Sequence, residues 1–298
     1  MERNLINQSL KKRIFTIFVL GLGICTGCGV QAQEKRAFDP DATMHALTRE
    51  DGSGTRQAFV DLFELYDEKG VDAIHPGIAV TNATSVMMIS TAGDPYAIGY
   101  TSLGAMNDMV KPVAIDGVRA SVQTVEDGTY PIARPFYLAI KDDLPPAGEE
   151  FVEFVLSREG ENIIAKQGYV ATGTDLPFQT SHPQGSIMVT GSSSIAPVME
   201  KLKERYAQIN PKAEIVVQQS DSSSGLSDVA NGTAAIGMSS RALKPSELKR
   251  GLTPIAFAKD GIVVIVNPAN PVESLTMEQV RSVYRDPQQT WRALENHR

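Results

Sequence analysis

Short apolar runs alternate along this chain with turns rich in glycine and hydroxyl side chains. Most of those turns lead into a stretch whose apolar positions recur every three or four residues. Residues 44–48 alternate as a half-buried strand does. Beyond a glycine-rich turn, Phe59, Leu62, Phe63 and Tyr66 fall on one helical face. Residues 78–80 read as a short strand. Asn82, Thr84 and Ser85 stand where caps belong for a helix over 86–91, whose Met87 and Met88 suit a core better than a metal. A strand follows at 97–100, then a helical turn after Ser102. Small edge elements are expected at 113–115 and 122–125, separated by the turn pair Asp116-Gly117.

From Tyr130 to Ile140 the chain is almost continuously apolar and reads as a buried strand, with Pro135 demoting part of it to an edge or a crossover. Pro145-Pro146 precedes amphipathic helices at 148–156 and 159–167, and Gly168 is a natural stop. The pair Glu149-Glu150 reads as solvated charge at a helix start. Residues 172–185 are rich in Pro, Gly, Ser and Thr and form the best internal linker. The pattern then repeats. A strand at 186–189 meets the turn Gly191-Ser192-Ser193-Ser194 and a helix carrying Val198, Leu202 and Tyr206. A strand at 214–218 meets a serine-rich turn at 220–225 and a helix over 226–230. A short strand within 234–241 ends in Ser239, Ser240 and Arg241. Residues 261–266 predict a buried strand closed by Asn267-Pro268. Thr276 or Ser274 caps a helix over 277–284, and Trp291 sits in a last short helix.

Strands alternating with helices imply an α/β fold, in which ligands lie beyond the C-terminal strand ends. Four strand-to-helix turns here are rich in hydroxyls, and one of them, residues 49–56, also carries arginine. Unpaired N–H groups at a helix start favour an anion there, and Ser53 and Thr55 add hydroxyl donors. Gly52 and Gly54 let the backbone approach closely. Arg49 offers a fork that matches an oxyanion, with Asp51 able to hold it in place. The plainer reading of the same residues is a capped turn with surface arginines. Four such turns together favour an oxyanion cleft lined with donors.

Composition narrows the choice. The 298 residues include 35 Asp/Glu against 28 Lys/Arg, for a formal charge of −7, which argues against a nucleic-acid surface. The four histidines have no zinc-like spacing, and no nucleophile elbow or nucleotide loop is present. No enzyme activity and no cofactor are therefore expected. At the N-terminus, Lys11, Lys12 and Arg13 precede an apolar run at 14–22, too short for a stable anchor, and the two cysteines follow at Cys25 and Cys28. The residues before Cys28 are similar to a bacterial lipoprotein cleavage box, although Cys25 replaces the commoner leucine. This predicts a signal at 1–28, lipid on Cys28, a tether at 29–42 and a location in the periplasm or at the cell surface. Plain secretion and an uncleaved anchor are the alternatives.

Several motifs together resemble the phosphate-binding proteins of the high-affinity phosphate ABC transporter, which have a two-lobed type II periplasmic-binding-protein fold with mixed sheets and a hinge. Residues 191–197 look like that family's opening loop, 220–225 its second, 236–241 its third and 49–56 its central motif. Gly128 to Pro131, with Arg134-Pro135, resembles its return crossing, and 150–170 its closing helices. The resemblance runs from Thr43 to Tyr284, but in an exchanged order: the block at 186–284 comes first in the family and last here. This implies a circular permutant joined through 172–185. Lobe 1 would then hold 132–266, and lobe 2 would hold 43–131 with 267–298. A fragment of a longer tandem is the rival explanation.

The resemblance further implies capture of inorganic phosphate for uptake, with permease subunits as partners, a lipid anchor in the membrane and no nucleic acid. By motif, Arg49, Ser53, Gly54 and Thr55 are ligand contacts from one lobe. Ser193, Ser194 (through its N–H) and Ser222 are contacts from the other. Asp51 orients the arginine, and Arg241 is a ligand-side charge, a partner for Asp51 or Glu50, or a surface strand cap. Ser240 stands where several members place an aspartate that accepts the proton of monohydrogen phosphate, so strict selectivity over sulfate is not implied. Oxyanion sensing or adhesion without transport remains an alternative function.

Overall fold

A single fourteen-residue strand, Thr253–Val266, runs through both halves of the molecule and decides where the others can lie. The computed structural model describes residues 38–295; the segment 1–28, Cys28 and most of the tether at 29–42 lie outside them. In chain order, the first elements are β1 (His45–Arg49), α1 (Gly54–Leu62), β2 (Ala79–Thr81), α2 (Thr84–Gly93), β3 (Ala97–Ser102), β4 (Lys111–Pro112), β5 (Ala114–Ile115) and α3 (Val122–Glu126). Next come β6 (Ala133–Ile140), α4 (Pro146–Leu156), α5 (Arg158–Lys166), β7 (Val170–Ala171), β8 (Gly185–Ser192), α6 (Ala196–Ile209) and β9 (Ala213–Ser220). The last are α7 (Ser222–Asn231), β10 (Ile236–Ser239), α8 (Pro245–Leu248), β11 (Thr253–Val266), β12 (Ser274–Leu275), α9 (Met277–Arg285) and α10 (Trp291–Glu295).

The main sheet has the order β2-β1-β3-β11-β6-β10-β8-β9, with β4 and β7 also pairing with β11. The C-terminal part of β11 pairs antiparallel with β3, from Ile262 opposite Ser102 to Val266 opposite Ile98. Its N-terminal part pairs antiparallel with β6, which in turn is antiparallel to β10. So β1, β2 and β3 run toward the middle of β11 from one side, while β8, β9 and β10 run toward it from the other. Both sets of parallel strands therefore end facing each other. Ligand sites in such sheets lie at those ends, so the topology concentrates them between two lobes.

Each lobe has its own apolar core. One gathers Met44, Phe59, Phe63, Ile98, Tyr100, Val264, Tyr284 and Trp291. The other gathers Phe136, Leu138, Phe151, Val189, Leu202, Tyr206 and Phe257. Phe59 stacks on Tyr100 with centroids 4.0 Å apart, fastening α1 to β3. The passage between the cores falls inside β11, because Ile262, Val264 and Val266 pack with the first core.

Three local expectations need correction. Residues 122–126 form a helix, not an edge strand: Ser121 and Thr124 make a reciprocal capping box, and Val125 alone turns inward. Pro135, by contrast, lies where expected, on a part of β6 that has β11 on one side only. It is tolerated because β10 pairs only with residues 137–139 of β6, leaving the proline beyond that ladder. The helix expected over 86–91 begins at Thr84, behind Ala83, and no side chain caps it. Glu150 is buried rather than solvated.

The segment after β7 is irregular but pinned. Arg158 N–H donates to the Leu176 carbonyl (2.8 Å), and Phe178 N–H donates to the Glu159 carboxylate (2.8 Å). Glu150 receives Thr180 Oγ1–H (2.8 Å), Ser181 N–H (2.6 Å), Ser181 Oγ–H (2.9 Å) and Tyr206 O–H (2.8 Å). Burial alone would raise its pKa, but these bonds outweigh burial and hold it below the usual carboxylate range. The stabilisation is complete above the unfolded pKa near 4.5 and is lost as pH falls through the lower folded value. Glu150→Gln should cost about 2 kcal/mol at neutral pH and flatten the loss of stability below that pH. Thermal melts across pH 3–7, together with limited proteolysis at 172–184, would check both effects.

Candidate functional site

β1 ends at Arg49, and the turn that follows feeds α1 through its N-cap Ser53, whose hydroxyl accepts the Arg56 N–H (3.3 Å). Two contacts fix the Arg49 backbone. Its N–H donates to the Tyr100 hydroxyl (3.1 Å), and its carbonyl accepts from Arg56 Nη1 (2.8 Å). Burial pushes Tyr100 up to about 12, so its hydroxyl keeps its proton and also bonds Thr48 Oγ1 at 2.8 Å.

The Arg49 side chain is only 2 % exposed and reaches the opposite lobe. Its Nη2 donates to Ser193 Oγ (3.1 Å), and its Nη1 donates to Thr84 Oγ1 (3.3 Å). Thr55 Oγ1 lies 2.9 Å from Ser194 Oγ. Across the cleft, the Ser240 N–H donates to Ser222 Oγ (3.1 Å), and the two hydroxyls are 3.3 Å apart. Both press on Gly54, where a Cβ would collide with the Ser222 hydroxyl and lie 2.7 Å from Ser240 Oγ. The Gly52 carbonyl accepts from Ser223 N–H at 3.2 Å, a direct backbone bond between the lobes. Arg49, Ser53, Gly54, Thr55, Ser193, Ser194, Ser222 and Ser240 are thus brought together and buried.

The supporting residues fall differently from the expectation. Asp51 is 98 % exposed and lies 3.5 Å from Arg56, not against Arg49. Its neighbour Glu50 takes that place, receiving Arg49 Nε (2.8 Å) and Nη2 (2.7 Å) in a bidentate pair. The turn swings Asp51 outward, and only the residue next to the arginine can fold back onto its fork. Arg241 pairs with neither Glu50 nor Asp51. It is buried in a bidentate pair with Glu247 (2.7 and 2.9 Å) and donates to Ser223 Oγ (3.1 Å). It therefore braces the second serine loop.

Sequence reasoning missed three residues: Glu50, Thr84 and Arg134. Arg134 and Asp260 sit opposite each other where β6 and β11 cross between the lobes. Arg134 Nη2 is 3.0 Å from Asp260 Oδ2, and Nη1 donates to the Ser240 carbonyl (3.1 Å). Burial lowers the Arg134 pKa and raises that of Asp260, and their attraction opposes both shifts. Ser102 Oγ–H (2.9 Å) and Leu103 N–H (3.1 Å) also donate to Asp260. The Tyr169 hydroxyl similarly holds the Ser194 carbonyl (3.0 Å). A lone arginine before a proline in an apolar strand was the available signal, since such a charge needs a partner.

Electrostatics favour an anion. Four helices, α1, α2, α6 and α7, begin at this cleft, and none carries Asp or Glu in its first turn. The first turns of α4, α8 and α9 carry one and that of α5 carries two, while those of the short helices α3 and α10 carry none. The α7 start is already capped by the Asp221 carboxylate, which accepts the Ser224 N–H (2.9 Å), so the positive ends left for a guest to compensate are those of α1, α2 and α6. Among the described residues there is no cluster of His, Cys, Asp and Glu able to hold a metal ion. Among them too, no helix is long and apolar enough to cross a membrane.

A family model described as the PBP superfamily domain matches residues 31–159 and 177–296. Phosphate-binding protein PstS 2 of Streptococcus agalactiae is 38 % identical over 278 residues, covering 92 % of this chain and 94 % of that protein. The Streptococcus pneumoniae protein of the same name is 35 % identical over 287 residues, covering 94 % and 98 % respectively. A crystal structure of a phosphate ABC transporter phosphate-binding protein from Streptococcus pneumoniae matches with a TM-score of 0.68 at 35 % identity. It covers 85 % of this chain and 100 % of that one.

Replacing Glu50 by Gln strips the buried guanidinium of its carboxylate and should lower stability by about 2 kcal/mol, less than for a fully enclosed pair because Glu50 is partly exposed. Asp51→Asn should change stability by less than about 0.5 kcal/mol. Unfolding of both variants without added anion separates the two roles.

Proposed function

The chain belongs to the PBP superfamily and, within it, to the PstS-like phosphate-binding proteins, and we propose that it captures inorganic phosphate between its two lobes for uptake by an ABC transporter. One observation carries this reading: the Arg49 guanidinium is buried at the cleft and bonded to a serine of the opposite lobe. Around it stand hydroxyl donors from both lobes and three helix starts, α1, α2 and α6, with no acid at the cap or in the first turn. Donors from two lobes can converge on one small anion only when the lobes are closed, so the anion stabilises that state by its differential affinity.

Ligand contacts are assigned to Arg49, Ser53, Gly54, Thr55, Ser193, Ser194, Ser222 and Ser240. Glu50 acts as the brace of the arginine in place of Asp51. The activity is reversible binding without turnover. Lipid on Cys28 would tether the protein outside the cytoplasm, and faces of both lobes would meet permease subunits. We read the order of the halves as exchanged relative to the family. Support comes from the single sheet that both halves build together.

A second reading, capture of another tetrahedral oxyanion such as sulfate, is favoured by one feature. Ser240 supplies a hydroxyl that both donates and accepts, not a carboxylate that would demand a proton on the guest. Calorimetric titration of the full chain with phosphate, sulfate and molybdate decides between the readings. Arg49→Ala should weaken phosphate binding by at least a hundredfold, and unchanged affinity would remove the arginine from the site. Ser240→Asp should raise the ratio of phosphate to sulfate affinity about tenfold, since a sulfate oxygen would then face a pure acceptor. An unchanged ratio in competition titrations would count against that role.

A further inference from the structure

Thr84 opens α2 with no side-chain cap behind it, and its hydroxyl turns into the cleft rather than back onto the helix. It is 4 % exposed. Its Oγ1 lies 3.1 Å from Ser193 Oγ, 3.1 Å from Ser194 Oγ and 3.3 Å from the Arg49 Nη1 that donates to it. Its own N–H donates to Ser193 Oγ (3.3 Å). No other residue of the cleft touches the arginine and both serines of the opening loop in this way among the described residues.

The direction of these bonds follows from counting protons. A guanidinium only donates, whereas a hydroxyl has one proton and two lone pairs. Ser193 Oγ accepts from Arg49 Nη2 and from Thr84 N–H, so both lone pairs are occupied and its proton must be given away. Thr84 Oγ1 is the hydroxyl in reach. With that proton and the one from Arg49 Nη1, Thr84 is filled as an acceptor and gives its own proton toward Ser194. Ser194 can then donate to Thr55 Oγ1, 2.9 Å away. The charge of Arg49 thus sets one sense along Ser193, Thr84, Ser194 and Thr55, in which each hydroxyl gives its proton to the next and Thr55 alone keeps one to offer outward. An oxyanion entering the cleft meets a Thr55 donor that is already oriented.

We infer that Thr84 is a further ligand-positioning residue of this site. Its hydroxyl relays the polarity of Arg49 across the lobe boundary and, through Ser194, leaves the Thr55 hydroxyl proton free for the anion. This rests on the phosphate-binding reading. The residue acts at the meeting of the lobes, so its hydroxyl serves closure and recognition together. Methyl in its place would leave Arg49 Nη1 without its hydroxyl acceptor and break the sense of the chain, while occupying the same volume.

The test uses the full chain titrated with inorganic phosphate, comparing wild type, Thr84→Val and Thr84→Ser, with small-angle scattering to follow compaction on binding. Thr84→Val should lose roughly ten- to a hundredfold in affinity, the range for a hydrogen bond to a charged group. It should also need correspondingly more phosphate to compact. Thr84→Ser, which keeps the hydroxyl, should stay within about threefold of wild type. Thr84→Val binding like wild type would overturn the role of Thr84 and leave the phosphate reading standing. Equal losses in Val and Ser variants would also overturn it, by tracing the effect to packing. A wild-type chain that binds phosphate not at all would overturn both.

Discussion

A guanidinium shut away from water has to be answered on every side, and the rest of this structure follows from how Arg49 is answered. Taking a charge to 2 % exposure is costly unless it is paired and hydrogen-bonded. Glu50 supplies the opposite charge from the same strand end, while Ser193 supplies a hydroxyl from the other lobe. The ion pair is close to neutral as a unit. The net pull on an anion therefore comes from the helix starts and hydroxyl protons arranged around it.

That arrangement depends on strand direction. One long strand, β11, presents its two ends to two sets of parallel strands, which must then terminate face to face at its middle. Where β6 crosses beside it, Arg134 and Asp260 form a second buried pair, and the arginine also holds the Ser240 carbonyl. Tyr169 holds the Ser194 carbonyl in a similar way. Two of the loops that build the cleft are thereby fastened to the crossing between the lobes.

The segment after β7 has the composition of a flexible linker, but it is held as a strap. Its backbone groups find partners on α4 and α5, and Phe178 packs edge-on against Phe154 at 5.2 Å. Glu150 gathers the strap's hydroxyls beside Tyr206. A connection pinned so closely adds to the stability of the lobe it crosses. It also suits a fold in which contacts, not chain order, define the architecture.

Much of this was legible along the chain because it is local. Alternation and three-to-four spacing reveal strands and helices such as β1, α1 and α6, and the serine and glycine turns mark where an anion can sit, since helix starts and hydroxyls act over a few bonds. Tertiary structure decided which neighbours those groups meet. Glu50 and Asp51 are chemically alike and adjacent, and only the curvature of the turn selects the first for Arg49. Thr84 looks like a cap in sequence, yet Ser193, more than a hundred positions away, makes it part of the cleft. Glu150 looks solvated until the strap lies over it. Hydrogen bonds reach about 3 Å, so a partner distant in sequence is invisible until the backbone has been folded to that distance.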